Sequence, residues 1–273
     1  MSPLHGLRIV NLALNLPGPA AARRLRALGA EVIKVEPPSG DPMATYRRAY
    51  YDEMAEGMPV VVLDLKAPDG RARLAGLLAE ADLLITSFRP SALLRLGLDP
   101  DALASAHPHL CQVAIVGFPE PRAEEAGHDL TYQASMGLVA PPALPRTLLS
   151  DLAGAEQATS AALALLLDRA RTGRAGRATV ALSDAAAAFA APLRHGLTAP
   201  GALLGGGRPE YALYPAADGW VALAALEPHF RARVEAQLGT DPAAWAPAFA
   251  ARPRAHWQAW AAAHDIPLEP LPG

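Results

Sequence analysis

Cysteine is nearly absent. A single one, Cys111, stands in 273 residues, so no intrachain disulfide can form, and its place in the apolar run HLCQVAIVGF points to a buried, inert thiol in a reducing cytoplasm. An excess of one charge sign is missing too. The 24 Lys and Arg against 27 Asp and Glu leave a net charge of −3, which gives no general pull toward nucleic acid or an anionic membrane. Any anionic ligand must therefore be held by local charges. Nor is there a long hydrophobic run: DAAAAFAAPL is short and broken by Pro, and MSPLHGLRIV lacks the charged start and apolar stretch of a secretion signal. The expectation is a soluble, cytoplasmic protein with neither a nucleic-acid nor a membrane partner.

What is present is apolar material, 51% of the chain, enough for a large core. Short runs rich in Val, Ile and Leu alternate with helical patterns, as in βα units feeding a parallel sheet. LRIVNLAL (7–14), EVIKVE (31–36), VVVLDL (60–65), DLLITSF (82–88), LCQVAIVGF (110–118) and RATVALSD (177–184) read as strands. Helices are expected over 18–30, 69–80, 185–194 and, the longest, Asp151 to Arg171, stopped by TGRAG. Gly and Pro gather in TAPGALLGGGRPE (198–210), as in a linker. A hairpin turning at Asp218 and Gly219 comes next, then helix over 227–264 with Trp245, Trp257 and Trp260 as core candidates. The fold class expected is α/β: a Rossmann-like, largely parallel sheet with flanking helices over 1–200, a linker over 201–212, and a smaller α+β domain over 213–273.

Three residues invite chemistry, and each has a plain alternative. Asp151 stands where its long helix begins, where a carboxylate complements the helix dipole; it also reads as an ordinary N-cap. His128 lies in the loop EEAGHDL, where a solvated imidazole is at ease. Glu227 precedes Pro228 and a helix, as a first-turn acid would.

The ordered motifs PGP, LRALGAEVIKVEPPSGDP, ADLLITSFRPSALLRLGLDP, GHDLTYQASMGL, SDLAG and DGWVALAALEPHF resemble the class III CoA-transferase family (CaiB/BaiF type), almost continuously from Leu4 to about Ile266. GHDLTY and ALEPHF are similar to its α-methylacyl-CoA racemase branch, whereas the Asp of SDLAG is shared with the transferases. The resemblance implies an acyl-CoA substrate and no metal or prosthetic group. It implies that His128 and Asp151 act as a proton-transferring pair, with Glu227 orienting the imidazole, and that backbone amides opening the long helix receive enolate charge. It also implies CoA contacts at Asn15 in the first βα loop, Leu63 and Lys66 of LDLK, Phe88 of SFRP, Arg95 of RLG and Tyr132 of GHDLTY. Lys66 and Arg95 suit phosphate oxygens, and Phe88 suits an adenine face.

The pattern departs in two places. YDEMAEGMPVVV stands where the family has a basic run before the third strand. The chain stops with AAAHDIPLEPLPG, at Gly273, where relatives continue and close an interlocked homodimer; a homodimer with a shorter path, or without interlocking, is expected. Three activities are compatible with the motifs: a 2-methylacyl-CoA racemase or epimerase, a CoA-transferase working through an aspartyl intermediate, and a CoA-binding paralogue with reduced catalysis.

Overall fold

A computed structural model describes residues 2–272, and the chain divides into two compact units, Met1–Ala190 and Ala191–Gly273. The first unit runs β1 (Arg8–Asn11), α1 (Pro17–Ala27), β2 (Glu31–Glu36), α2 (Pro42–Tyr46), α3 (Arg48–Ala55), β3 (Val60–Val62), α4 (Pro68–Ala79), β4 (Leu83–Thr86), α5 (Pro90–Arg95), α6 (Pro100–Ala106), β5 (Cys111–Val116), α7 (Asp129–Ser135), α8 (Leu149–Thr172), β6 (Arg177–Ala181) and α9 (Leu182–Phe189). Its six strands form one sheet in the order β3-β2-β1-β4-β5-β6, and every pair is parallel. That order reverses direction between β1 and β4, as in doubly wound folds.

The strands are short and most are buried on both faces, which is why they read as unbroken apolar runs. Alternate residues enter opposite cores. Ile9, Leu83, Ile85, Val113 and Ile115 meet the small residues of α1 and α8, Ala21, Ala22, Ala155, Ala158 and Ala162. On the other side Val10, Val35 and Leu84 meet Leu74 and Leu78 of α4 and Leu93 of α5. Proline gives α1, α2, α4, α5 and α6 their starts, since its missing N–H costs nothing in the first turn. Gly173, at φ 72°, closes α8 in the left-handed conformation. Cys111 is fully buried and free. Among the described residues no helix is long and apolar enough to cross a membrane.

The second unit holds α10 (Ala191–Arg194), β7 (Tyr211–Ala216), β8 (Gly219–Ala224), α11 (Pro228–Leu238), a 3-10 turn (Pro242–Ala244), α12 (Trp245–Ala250), α13 (Arg254–His264) and β9 (Leu268–Pro270). The three strands pair antiparallel in the order β7-β8-β9, and the hairpin turns at Ala217 and Asp218, one residue ahead of the expected Asp218 and Gly219, because Gly219 already pairs with Ala216. Trp245 and Trp257 are buried in its core and Trp260 packs against it. The expected helix over 227–264 is three helices and a 3-10 turn. Gly239 (φ 90°) ends the first helix, Pro242 opens the 3-10 turn, and Pro253 stands at the N-cap of α13.

The units part after Ala190, ahead of the expected boundary at 200, and the Gly-rich stretch is not an extended linker. Gly201 N donates to Gly205 O at 2.9 Å, Leu204 N to Leu197 O at 3.0 Å and Gly207 N to Ala202 O at 2.8 Å. Glycine is needed there because a Cβ on Gly205 would stand 1.8 Å from Ala199 O, and one on Gly207 2.2 Å from Gly201 O.

Candidate active site

Where neighbouring strand connections leave the sheet in opposite directions, the loops after β1 and β4 diverge and open a crevice at the carboxyl ends of the strands. Here that crevice is a cavity of about 600 Å³ whose wall includes Asn15, Phe88, His128, Asp129, Tyr132 and Asp151. A second cavity, of about 190 Å³, is bordered by Leu63, Lys66 and Phe88. Leu14 and Phe88 line both. Seven of the nine residues expected at a site thus border one hollow or the other. Arg95 lines neither; it ends α5, exposed, with a guanidinium nitrogen 3.4 Å from Ser91 Oγ. Glu227 belongs to the second unit, exposed, just before α11.

His128 occupies the N-cap position of α7. Its backbone N–H donates to Thr131 Oγ1 at 3.0 Å, and that hydroxyl donates back to His128 O at 2.7 Å. The pair of bonds fixes the backbone and leaves the imidazole exposed at the cavity wall. Tyr132, one turn on, is 2% exposed and meets Phe118 edge-on, with ring centroids 5.1 Å apart. Its ring fits because residues 117 and 127 are glycines: a Cβ at Gly117 would stand 2.4 Å from the phenol oxygen, and one at Gly127 2.5 Å from the ring. Burial raises the Tyr132 phenol above its ordinary pKa, and the charge of Asp151 adds to that.

Asp151 is not a cap. The helix starts at Leu149, with Leu148 before it, and Asp151 is the third residue inside. A carboxylate in the first turn ordinarily gains from the helix dipole. Here burial wins: it pushes the Asp151 carboxyl up to about 7, and the neighbouring Asp129 pushes the same way. The group therefore gains and loses its proton near neutrality. Two of the amides expected to receive enolate charge are already engaged. Asp151 N–H donates to Asp129 Oδ1 at 3.1 Å and Leu152 N–H to Leu148 O at 3.0 Å.

Sequence reasoning missed three features of this wall. Asp129 adjoins His128 in GHDL, yet only the fold brings it to Asp151. Arg89, beside the chosen Phe88, is an exposed cation at the larger cavity. The third lies under Asn15. Lys34 of β2 is 1% exposed and pairs with Glu36 and, at 2.6 Å, with Asp41. Tyr51 OH donates to Glu36 at 2.9 Å, and burial followed by that bond raises its pKa to about 12. Asp41 Oδ1 in turn accepts the backbone N–H of Asn15 at 3.0 Å and of Met43 at 2.9 Å. This holds Asn15 at φ 63°, a conformation that Asn tolerates better than most residues. The Asn15 Oδ1 is buried without a hydrogen-bond partner among the described residues. The charged residue inside EVIKVE was the available signal.

Residues 4–270 match the family model described as CoA-transferase family III. The succinate–glutarate CoA-transferase of Agrobacterium fabrum is 32% identical over 251 residues, which cover 81% of this chain and 63% of that protein. Human alpha-methylacyl-CoA racemase is 31% identical over 245 residues, covering 83% of this chain and 62% of its own. A CaiB/BaiF family protein from Brucella suis, of known crystal structure, superposes with a TM-score of 0.84 at 26% identity, covering 100% of this chain and 84% of that one. The chain thus spans less than two thirds of either curated relative, and a transferase and a racemase resemble it about equally.

Proposed function

The chain belongs to CoA-transferase family III, and from that premise we propose that it racemises a 2-methylacyl-CoA, or a related 2-substituted acyl-CoA, by removing and returning the α-proton. One observation carries this reading: His128 and Asp151 line one cavity, the first an exposed imidazole and the second a carboxyl whose pKa is about 7.

A proton next to a thioester carbonyl is weakly acidic, so its removal needs a base in contact and a partner on the opposite face to complete the inversion. Such a pair works best when both groups titrate near the working pH. Burial brings the Asp151 carboxyl there. In one direction His128 takes the α-proton and the Asp151 carboxyl delivers its own to the other face. That leaves an imidazolium and a carboxylate, the state from which the opposite enantiomer reacts. The exposed imidazole can trade its proton with water between turnovers. For the CoA portion, the smaller cavity, with Phe88 and Lys66 on its border, suits an adenine face and phosphate oxygens. Asn15 and Tyr132 adjoin the larger cavity, where the reactive end would lie.

The second reading is CoA transfer, in which the Asp151 carboxylate attacks the acyl-CoA carbonyl to give an acyl-aspartyl anhydride and then an aspartyl-CoA thioester. Its support is the likeness to the Agrobacterium transferase. A carboxyl of pKa about 7 is ionised about half the time at neutral pH and remains open to that attack; what favours the first reading is the imidazole on the same cavity, which transfer does not need.

Incubating the protein in D2O with a panel of acyl-CoAs and weighing the recovered thioesters by mass spectrometry separates the two. Deuterium at the α-carbon, lost in His128→Ala, is the expected result. No exchange, with a hydroxylamine-trapped adduct on Asp151, would establish transfer instead. CoA binding with neither outcome would mark a paralogue of reduced activity.

A further inference from the structure

The larger cavity holds a second carboxylate that the proposed chemistry does not use. Asp129, the first residue of α7, is 5% exposed. Its Oδ1 accepts the Asp151 amide at 3.1 Å and its Oδ2 accepts Gln133 Nε2 at 2.6 Å. Gln133, 2% exposed, donates also to Thr147 O at 3.1 Å, just ahead of α8. Ser150 Oγ completes the join by donating to Asp129 O at 3.4 Å. One side chain thus ties α7 to the first turn of the helix that carries Asp151.

This arrangement does two separate jobs. Leu148, the residue before α8, has no side-chain oxygen to accept the open N–H groups of the first turn. Asp129 supplies one from another element, as an N-cap side chain would. It also places a second carboxyl group beside the one that the reaction asks to change its charge.

We propose that Asp129 is a positioning residue for Asp151: locked by Gln133, its carboxylate anchors the first turn of α8 and opposes a second negative charge on Asp151. The proposal rests on the reading of Asp151 as the reacting acid. Other charged groups around Asp151 do not duplicate the role. His128, Tyr132, Arg89 and Glu125 line the cavity with it but make no bond to the α8 backbone. Farther along α8, Glu156 pairs with Arg24 of α1 at 3.1 Å. Asp184 of α9 is exposed.

The test needs no substrate. In protein labelled with ¹³C-aspartate, the Asp151 carboxyl signal, assigned by its loss in Asp151→Asn, is followed against pH. Asp129→Asn keeps an oxygen for the Asp151 amide and removes the charge, so the Asp151 midpoint should fall by about one unit or more. An unmoved midpoint in the folded variant overturns the proposal, because a purely structural clamp would leave it in place. If Asp129→Asn does not fold, the wild-type protein carries the test. Coupled carboxyls show two inflections in each titration curve; two independent single-step curves would overturn the proposal. Since the titration is read without turnover, a lowered midpoint in a protein showing no α-exchange would reject the racemase reading while leaving the role of Asp129 intact.

Discussion

Two groups of buried charge stand at the candidate site, one beneath the loop that carries Asn15 and one in the cavity wall, and they are built on opposite plans. Under the first βα loop, Lys34 sits between Glu36 and Asp41, Tyr51 takes a further lone pair of Glu36, and Asp41 spends its remaining capacity on two backbone amides. In the wall of the larger cavity, Asp129 and Asp151 are two acids with no cation bonded to either among the described residues. The first cluster is close to electrically balanced and its charged groups are paired, which is how buried charge is tolerated in a structural role. The second is unbalanced, and the imbalance appears as a carboxyl moved up to about 7. Perturbed proton affinity of this kind gathers where chemistry is done.

That contrast can be attacked from both sides. The largest effect is expected on the unbalanced side: His128→Ala or Asp151→Asn should lower α-deuterium exchange by about 10²-fold to 10⁴-fold, the usual worth of a positioned acid or base, as read by initial rates of label uptake. On the balanced side, Lys34→Met leaves Glu36 and Asp41 facing each other without their cation. It should cost about 3–5 kcal/mol in urea unfolding, and it should weaken CoA binding through the Asn15 loop. Proportionate loss of stability with unchanged CoA affinity would show that the cluster does not shape the cavity.

A third experiment probes the unbalanced side through pH. A carboxyl whose folded pKa lies near 7, against 3.8 when free, binds its proton more tightly in the folded state. Its contribution to stability is therefore whole at low pH, falls as pH rises from about 4 to about 7, and stays flat above. Asp151→Asn should match the wild type at pH 4 and exceed it at pH 8, by an upper bound on the order of 4 kcal/mol. Equal stability of the two proteins at pH 8 would mean that ionised Asp151 is not penalised. The smallest effect belongs to Tyr51→Phe, which deletes one bond to Glu36 and should cost about 1.5 kcal/mol with no change in the exchange rate.

How far these features could be read in advance varied with their range along the chain. The strands need only buried Val, Ile and Leu runs separated by helical patterns, and EVIKVE is a strand over its whole expected length, whereas the strands expected at 7–14 and 177–184 are confined to Arg8–Asn11 and Arg177–Ala181. The break of 227–264 into separate helices was written in Gly239, Pro242 and Pro253, whose punctuation outweighs the helical pattern around them. His128 and Asp151 were found through their motifs, and Leu63, Lys66 and Phe88 fell together on one cavity. Arg95 did not, because its position at the end of α5 turns on a helix of only six residues whose packing no local pattern reveals. Asp129 was passed over for a related reason: within GHDL it is one more polar residue, and its importance comes from a helix 22 positions away.

The amino-acid order alone determined the alternation of strands and helices, the parallel character of the main sheet and the identity of the two candidate proton carriers, since apolar period, proline and glycine placement and motif are all local properties. The tertiary structure alone decided that a lysine inside a strand is neutralised by two carboxylates, and that one aspartate restrains another. Proton affinity is set by depth of burial and by the charges nearby, and both come into being only when distant segments meet.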